Sequence, residues 1–131
     1  MTLTVHHATG DELKPLYQRA LVALVAHKKD SYNEYAIPVK TFEYLSYGLP
    51  IVSVNVSSLS SFINQERIGM TVDNNPTSFA DGIRQILSDE ETYKDYVNNV
   101  QDSLLNRNLW RNRIQTIVSD LSEIKSAKQE V

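Results

Sequence analysis

No cysteine occurs among the 131 residues, which excludes disulfides and thiolate chemistry and suits a reducing compartment. No apolar run approaches the roughly 20 residues needed to cross a bilayer. The opening residues 1–7 lack a charged region followed by an apolar one and do not read as a signal peptide. Lys and Arg number 13 against 16 Asp and Glu, a net charge of −3 with no basic block to track a nucleic-acid backbone. Nucleic acid is therefore excluded as a partner class, and a cytoplasmic location is expected. Metal-ligand spacing is also missing. His6 and His7 are neighbours that would point to opposite faces of a strand, and His27 has no partner at ligand distance in sequence. Serines 57, 58, 60 and 61 carry no Gly-x-Ser-x-Gly elbow and read as turn and cap residues.

What is present is ordinary for a globular protein, 41 % apolar and 22 % charged, in a chain long enough for one domain over residues 1–131. Residues 2–7 suit a short strand and residues 11–20 a helix. Residues 21–26, Leu-Val-Ala-Leu-Val-Ala, form a continuous apolar run, as in a strand covered on both faces. Further strands are expected at 50–56 and 70–72, with a short helix at 60–66 between them. The remainder, 76–125, reads as helical. Asn75 caps a helix with Phe79, Ile83, Ile86 and Leu87 on one face. Ser88 to Glu91 forms a capping box for a helix burying Tyr93, Tyr96, Val97, Val100 and Leu104. A last helix carries Trp110, Ile114, Ile117, Val118, Leu121 and Ile124 as a packing stripe, and Lys125, Lys128 and Glu130 mark a frayed tail. Short apolar strands alternating with helices predict an α/β Rossmann-like parallel sheet of about four strands.

The most informative block is residues 37–52, Ile-Pro-Val-Lys-Thr-Phe-Glu-Tyr-Leu-Ser-Tyr-Gly-Leu-Pro-Ile-Val. Pro38 suits the first helical position, Gly48 the left-handed residue past the helix end, and Pro50 stops further winding. The block follows the end of a predicted central strand, where open α/β sheets bind ligands. The amides of Val39 and Lys40 at the helix start, with the Lys40 ammonium, could hold a phosphate. Glu43 lies one turn on, at i+4 from Val39, where its carboxylate could accept from sugar hydroxyls. On spacing alone an ion pair of Glu43 with Lys40 is the simpler reading. The placement after a strand end favours the ligand.

Residues 38–52 resemble the C-terminal, donor-binding domain of GT-B glycosyltransferases, in particular the large retaining group called family 4. There, a glutamate-bearing helix followed by small-x-Gly-x-Pro-Val-Val closes the nucleotide-sugar pocket. Weaker likeness extends over roughly residues 3–120: Asp11-Glu-Leu-Lys-Pro-Leu-Tyr before Ala20-Leu-Val, and Gly69-Met-Thr-Val before residues 76–87. The resemblance implies that Glu43 binds the nucleotide ribose, as the second glutamate of a Glu-x7-Glu motif. It also implies that Pro38, Val39 and Lys40 border the diphosphate. The first glutamate of the motif falls on Tyr35, with Glu34 one residue before it as a candidate contact for the donor sugar. The glutamate expected after the next strand is replaced by Ser61.

The same resemblance implies transfer of a hexosyl group from a UDP- or GDP-sugar to a hydroxyl of a glycan or lipid carrier. Configuration would be retained, without metal or other cofactor, and the use would be polysaccharide synthesis. The acceptor-binding domain and the first two strands of the donor domain have no counterpart. The chain therefore reads as an N-terminally truncated portion, inactive alone, needing the missing domain or a partner subunit. Residues 2–7 would pair with residues 21–26, pair with another molecule, or be displaced. A homodimer is expected to cover the exposed edge. The full-length enzyme would lie at the inner face of the membrane. The competing reading is a non-catalytic α/β interaction module, or one subunit of a split glycosyltransferase. A receiver-type signalling domain fits poorly, because no acidic pair follows the first strand.

Overall fold

The computed structural model describes residues 2–28 and 30–129. Strands β1 (Ala23–Val25), β2 (Ile51–Val54) and β3 (Gly69–Val72) form a parallel sheet in the order β1-β2-β3. Ala23 pairs with Ile51, and Ile51 with Gly69. Parallel neighbours need a crossover rather than a hairpin. Helix α2 (Val39–Ser46) supplies the first and α3 (Ser57–Glu66) the second. Helix α1 (Lys14–Arg19) precedes β1 behind a 3-10 turn at Gly10–Leu13. After β3 come α4 (Pro76–Ile86), α5 (Glu90–Ser103), a π turn (Leu104–Asn108) and α6 (Trp110–Gln129). The expected α/β parallel architecture is present, one strand smaller than predicted.

The missing strand is residues 2–7, which form neither strand nor helix. Leu3 is 89 % and Val5 75 % exposed. A strand is stable only with a neighbour to take its N–H and C=O groups, and residues 2–7 do not reach β1. β1 is therefore an edge strand, shorter than the expected 21–26, and Leu21 and Leu24 are exposed rather than covered. β2, central and β-branched, is buried at all four residues. The main core gathers Ile51 and Val54 with Leu45 and Leu49 from the α2 region, Leu59 and Ile63 from α3, and Val100 from α5. β3 approaches β2 so closely at Gly69 that a Cβ there would lie 1.8 Å from the Ile51 carbonyl oxygen. Only glycine fits.

The helix ends follow local chemistry. After α2, Gly48 takes φ +72°, its N–H donates to the Leu45 carbonyl at 3.0 Å, and that of Leu49 to Tyr44 at 3.1 Å. This is a Schellman closure, as the Gly48–Pro50 spacing predicts. α3 ends in the same manner with Arg67 at φ 54° in the left-handed position. Asn75 caps α4 as predicted, accepting from the Ser78 amide at 2.8 Å. The cap of α5 is Asp89 instead of Ser88. One Asp89 carboxylate oxygen accepts from the Thr92 amide and the other from its hydroxyl, each at 2.8 Å. Two bonds from one carboxylate outcompete a serine hydroxyl one residue earlier.

At the C-terminal end the Arg107 guanidinium lies between Glu66 (2.8 Å) and Asp102 (2.7 Å), fixing the π turn against the end of α3. Asn112 accepts from the Leu109 amide at 2.9 Å and sets the start of α6. The predicted stripe on α6 is present, but it is not covered. Trp110 is 81 % exposed, and Ile114, Ile117, Leu121 and Ile124 are 53 to 60 % exposed. Lys125 and Lys128 continue the helix instead of fraying from it. Glu130 lies outside the described residues, as do Met1 and, in the loop before α2, Lys29.

Candidate donor site at the starts of two helices

Because all strands run the same way, the starts of α2 and α3 both follow strand carboxyl ends, on one edge of the sheet. Pro38 is the N-cap of α2, one position before the predicted first turn, with extended ψ (137°) and its carbonyl accepting from the Thr41 amide at 2.9 Å. Val39 and Lys40 thus occupy the first two helical positions. Among the described residues their amides make no hydrogen bond, and both side chains are exposed. Two free N–H groups at a helix start carry the partial positive charge that suits an anion. Thr41, at the third position, is fully buried, and its hydroxyl has no hydrogen-bond partner.

Glu43 is half-buried on the next turn. It makes no ion pair among the described residues, so the bridge to Lys40 allowed by their spacing does not form. Its carboxylate faces α1, where burial first and the Glu43 charge second push the Tyr17 hydroxyl above its usual pKa. Tyr44 is raised by the same two causes in the same order. Tyr17 also packs edge-on against Tyr44, ring centroids 5.7 Å apart, and against Tyr47 at 5.0 Å. An unpaired carboxylate is thereby held by an aromatic wall with its accepting oxygens free of any cation.

Glu34 belongs to the other helix start. Asp30 accepts from the Tyr32 and Asn33 amides at 3.1 and 2.9 Å, winding the loop so that Glu34 reaches α3. The Glu34 carbonyl accepts from the Ser58 amide at 3.1 Å, and its carboxylate accepts from the Ser57 hydroxyl. The N-cap residue of α3 is Val56, which has no side-chain acceptor, so Glu34 caps the helix from across the chain. This explains why α3 starts at Ser57 rather than near residue 60. Beside it lies an open groove of about 480 Å³ lined by Glu34, Tyr35, Ile37, Ser58, Ser61 and Phe62. The predicted Glu34 and Ser61 therefore share one groove. Glu34 and Glu43 share no bond.

Sequence reasoning missed the C-terminal contribution. Arg113, at the start of α6, stacks 5.0 Å above the Phe42 ring. With Val39, Asn108 and Trp110 these residues line a cleft of about 280 Å³ along the first turn of α2. The guanidinium forms no ion pair among the described residues. No sequence pattern signals an approach between residues so far apart. Among the described residues no cluster of three or more His, Asp or Glu could hold a metal ion, and no helix is long and apolar enough to cross a membrane.

Comparison with known proteins places the chain in a family. Residues 2–103 match the family described as glycosyl transferases group 1. A Methanocaldococcus jannaschii protein named as the uncharacterised glycosyltransferase MJ1607 is 31 % identical over 104 residues, 79 % of this chain and 25 % of its own length. The Bacillus subtilis protein TuaH, whose name assigns it provisionally to teichuronic acid biosynthesis as a glycosyltransferase, is 27 % identical over 81 residues, 60 % of this chain and 20 % of its own. The chain thus spans a quarter or less of the curated relatives it matches. With most of its length under the family match, from the N-terminal residues through α5, the chain belongs to the glycosyl transferases group 1 family.

Proposed function

We propose that the chain is the donor-binding portion of a retaining, nucleotide-sugar-dependent glycosyltransferase. It would take part in moving a hexosyl group from a UDP- or GDP-sugar to a hydroxyl of a glycan or lipid carrier. The observation that carries this reading is the start of α2: two unbonded amides at Val39 and Lys40, with the unpaired carboxylate of Glu43 one turn further on. The amides and the Lys40 ammonium would hold the diphosphate, and Glu43 would accept from the ribose hydroxyls. As the sugar leaves, the same groups would stabilise the charge building on the diphosphate. The acceptor side would come from a segment beyond these residues or from a partner subunit, and the chain alone would not turn over. No metal or cofactor is called for. A surface polysaccharide as final product is supported by the name of TuaH.

Calorimetric titration of the chain with UDP, GDP and ADP tests the proposal. Binding of one nucleotide, weakened by about 1–3 kcal/mol in Glu43→Ala, is the expected result. A folded chain that binds no nucleotide at millimolar concentration would remove the donor site and favour the second reading, a non-catalytic module or split subunit. That reading is favoured by one feature of the structure: Glu34, the candidate sugar contact, already has its carboxylate engaged by Ser57.

A further inference from the structure

A cavity of about 410 Å³ lies at the amino end of the strands, away from the helix starts that form the candidate donor site. One wall is the end of α3, with Asn64 and the C-cap residue Arg67. The other is α5, with Thr92, Asp95, Tyr96 and Asn99. The α5 residues follow at steps of three, one and three, so they share one face of the helix. Facing sides of packed helices are ordinarily apolar. These two are polar and leave a space between them. Its walls are fixed. The Asn99 side-chain amide donates to the Arg67 carbonyl at 3.1 Å, and the Thr92 amide and hydroxyl both donate to Asp89 at 2.8 Å. Arg67 supplies a second observation. It holds the left-handed position past α3 at φ 54°, where glycine is the favoured residue and a side chain adds strain. Its guanidinium forms no ion pair among the described residues, and neither does Asp95 across the cavity. Backbone strain of this kind is characteristically kept where a ligand is held.

We propose that this cavity binds a neutral saccharide unit. Its lining sets one cation, Arg67, against one carboxylate, Asp95, so an anion would meet Asp95 and a cation would meet Arg67. The carboxamides of Asn64 and Asn99 carry both donors and acceptors, the Tyr96 hydroxyl can do either, and the Thr92 oxygen can accept. A ligand that satisfies so mixed a set carries several groups that both donate and accept, without net charge. A ring of hydroxyls does so. Arg67 would donate to its oxygens and Asp95 would accept from its hydroxyls, which gives both unpaired charges a use. Tyr96 is half-buried and offers an apolar ring surface to the C–H face of a sugar. The volume falls in the usual range of small-molecule sites, roughly 300–1,000 Å³. The inference is independent of the donor-site reading, because the cavity shares no residue with the start of α2 or with the groove at Glu34.

Amide NMR of the isotope-labelled chain reads the outcome, with glucose, galactose, mannose and N-acetylglucosamine titrated separately to tens of millimolar. At least one sugar should saturably shift the backbone signals of Arg67 and Asn99 and the side-chain amides of Asn64 and Asn99. The signals of Val39 and Lys40 should stay in place. Arg67→Gly relieves the backbone strain and keeps the fold, yet it should weaken the sugar about ten-fold through loss of a charged hydrogen-bond donor. Asp95→Asn, at an exposed position, should weaken it as well. No saturable shift with any of the four sugars overturns the proposal, and so does a shift that both variants leave unchanged. Glycine or inorganic phosphate moving the same signals where no sugar does also overturns it, and gives the cavity to a zwitterion or an anion.

Discussion

Replacing Glu34 by alanine separates a structural carboxylate from a substrate-binding one. The side chain accepts from the Ser57 hydroxyl at the first turn of α3, a helix whose own N-cap, Val56, offers no acceptor. Loss of a side-chain hydrogen bond of this kind costs about 0.5–1.5 kcal/mol. The Ser58 amide keeps its bond to the Glu34 carbonyl in the variant, since that bond is made by the backbone. Partial exposure of Glu34 screens the charge component, which places the expected loss near the middle of the range, about 1 kcal/mol. For a chain of this size that is a fall of roughly 4 °C in melting temperature. Urea unfolding measures it, with an unchanged m-value confirming that folding stays two-state. Glu34→Gln should recover part of the loss, because an amide oxygen still accepts from the hydroxyl. Nucleotide affinity should stay at the wild-type value. The reasoning is refuted if stability is unchanged while nucleotide or nucleotide-sugar binding is lost, because Glu34 would then be free to contact ligand.

Three further outcomes rest on other features of the same structure. Arg67→Gly should stabilise the chain by about 1 kcal/mol in chemical denaturation, since Arg67 holds a left-handed conformation that costs other residues about that much relative to glycine. Thr41→Val should be neutral or stabilising by up to about 1 kcal/mol, because it replaces a buried hydroxyl without a partner by a methyl of the same shape. Hydrogen bonds from Thr92 to Asp89, and the Arg107 guanidinium beside Asp102, hold both carboxyls below the usual range. Depressed carboxyls add stability above their unfolded pKa of about 4 and lose it as pH falls through the folded values. Thermal melts between pH 5 and pH 2 should therefore show a decline that Asp89→Asn and Asp102→Asn flatten.

Much of this fold is legible in the sequence, for local reasons. Gly48 and Pro50 mark where α2 must stop, and Asn75 marks where α4 must begin, because each acts through backbone groups within four residues. Residues 2–7 mislead because alternating apolar residues describe a strand face without revealing whether a neighbouring strand exists. The α6 stripe misleads likewise. Its spacing is that of a buried face, and periodicity does not say whether the cover lies in the same chain. At the candidate site, the helix start and Glu43 could be placed from the 37–52 block. The Glu34 bond to Ser57 and the Arg113 stack on Phe42 could not, since they join positions 23 and 71 residues apart and depend on how the sheet brings helix starts together.

The strand order also bears on the order of folding. Ile51 and Gly69 are 18 residues apart in the chain, whereas Ala23 and Ile51 are 28 apart. Closing the longer loop costs about 0.4 kcal/mol more in chain entropy. The shorter pairing is also reinforced by α3, which packs on both β2 and β3. The β2-α3-β3 unit is therefore the one expected to lead, with β1 joining a ribbon already formed. Destabilising changes in that unit should slow refolding, and those at β1 should chiefly hasten unfolding. The half of the chain that carries α2, with the candidate donor site at its start, is then the half that orders last, and a ligand held there would act by slowing its departure.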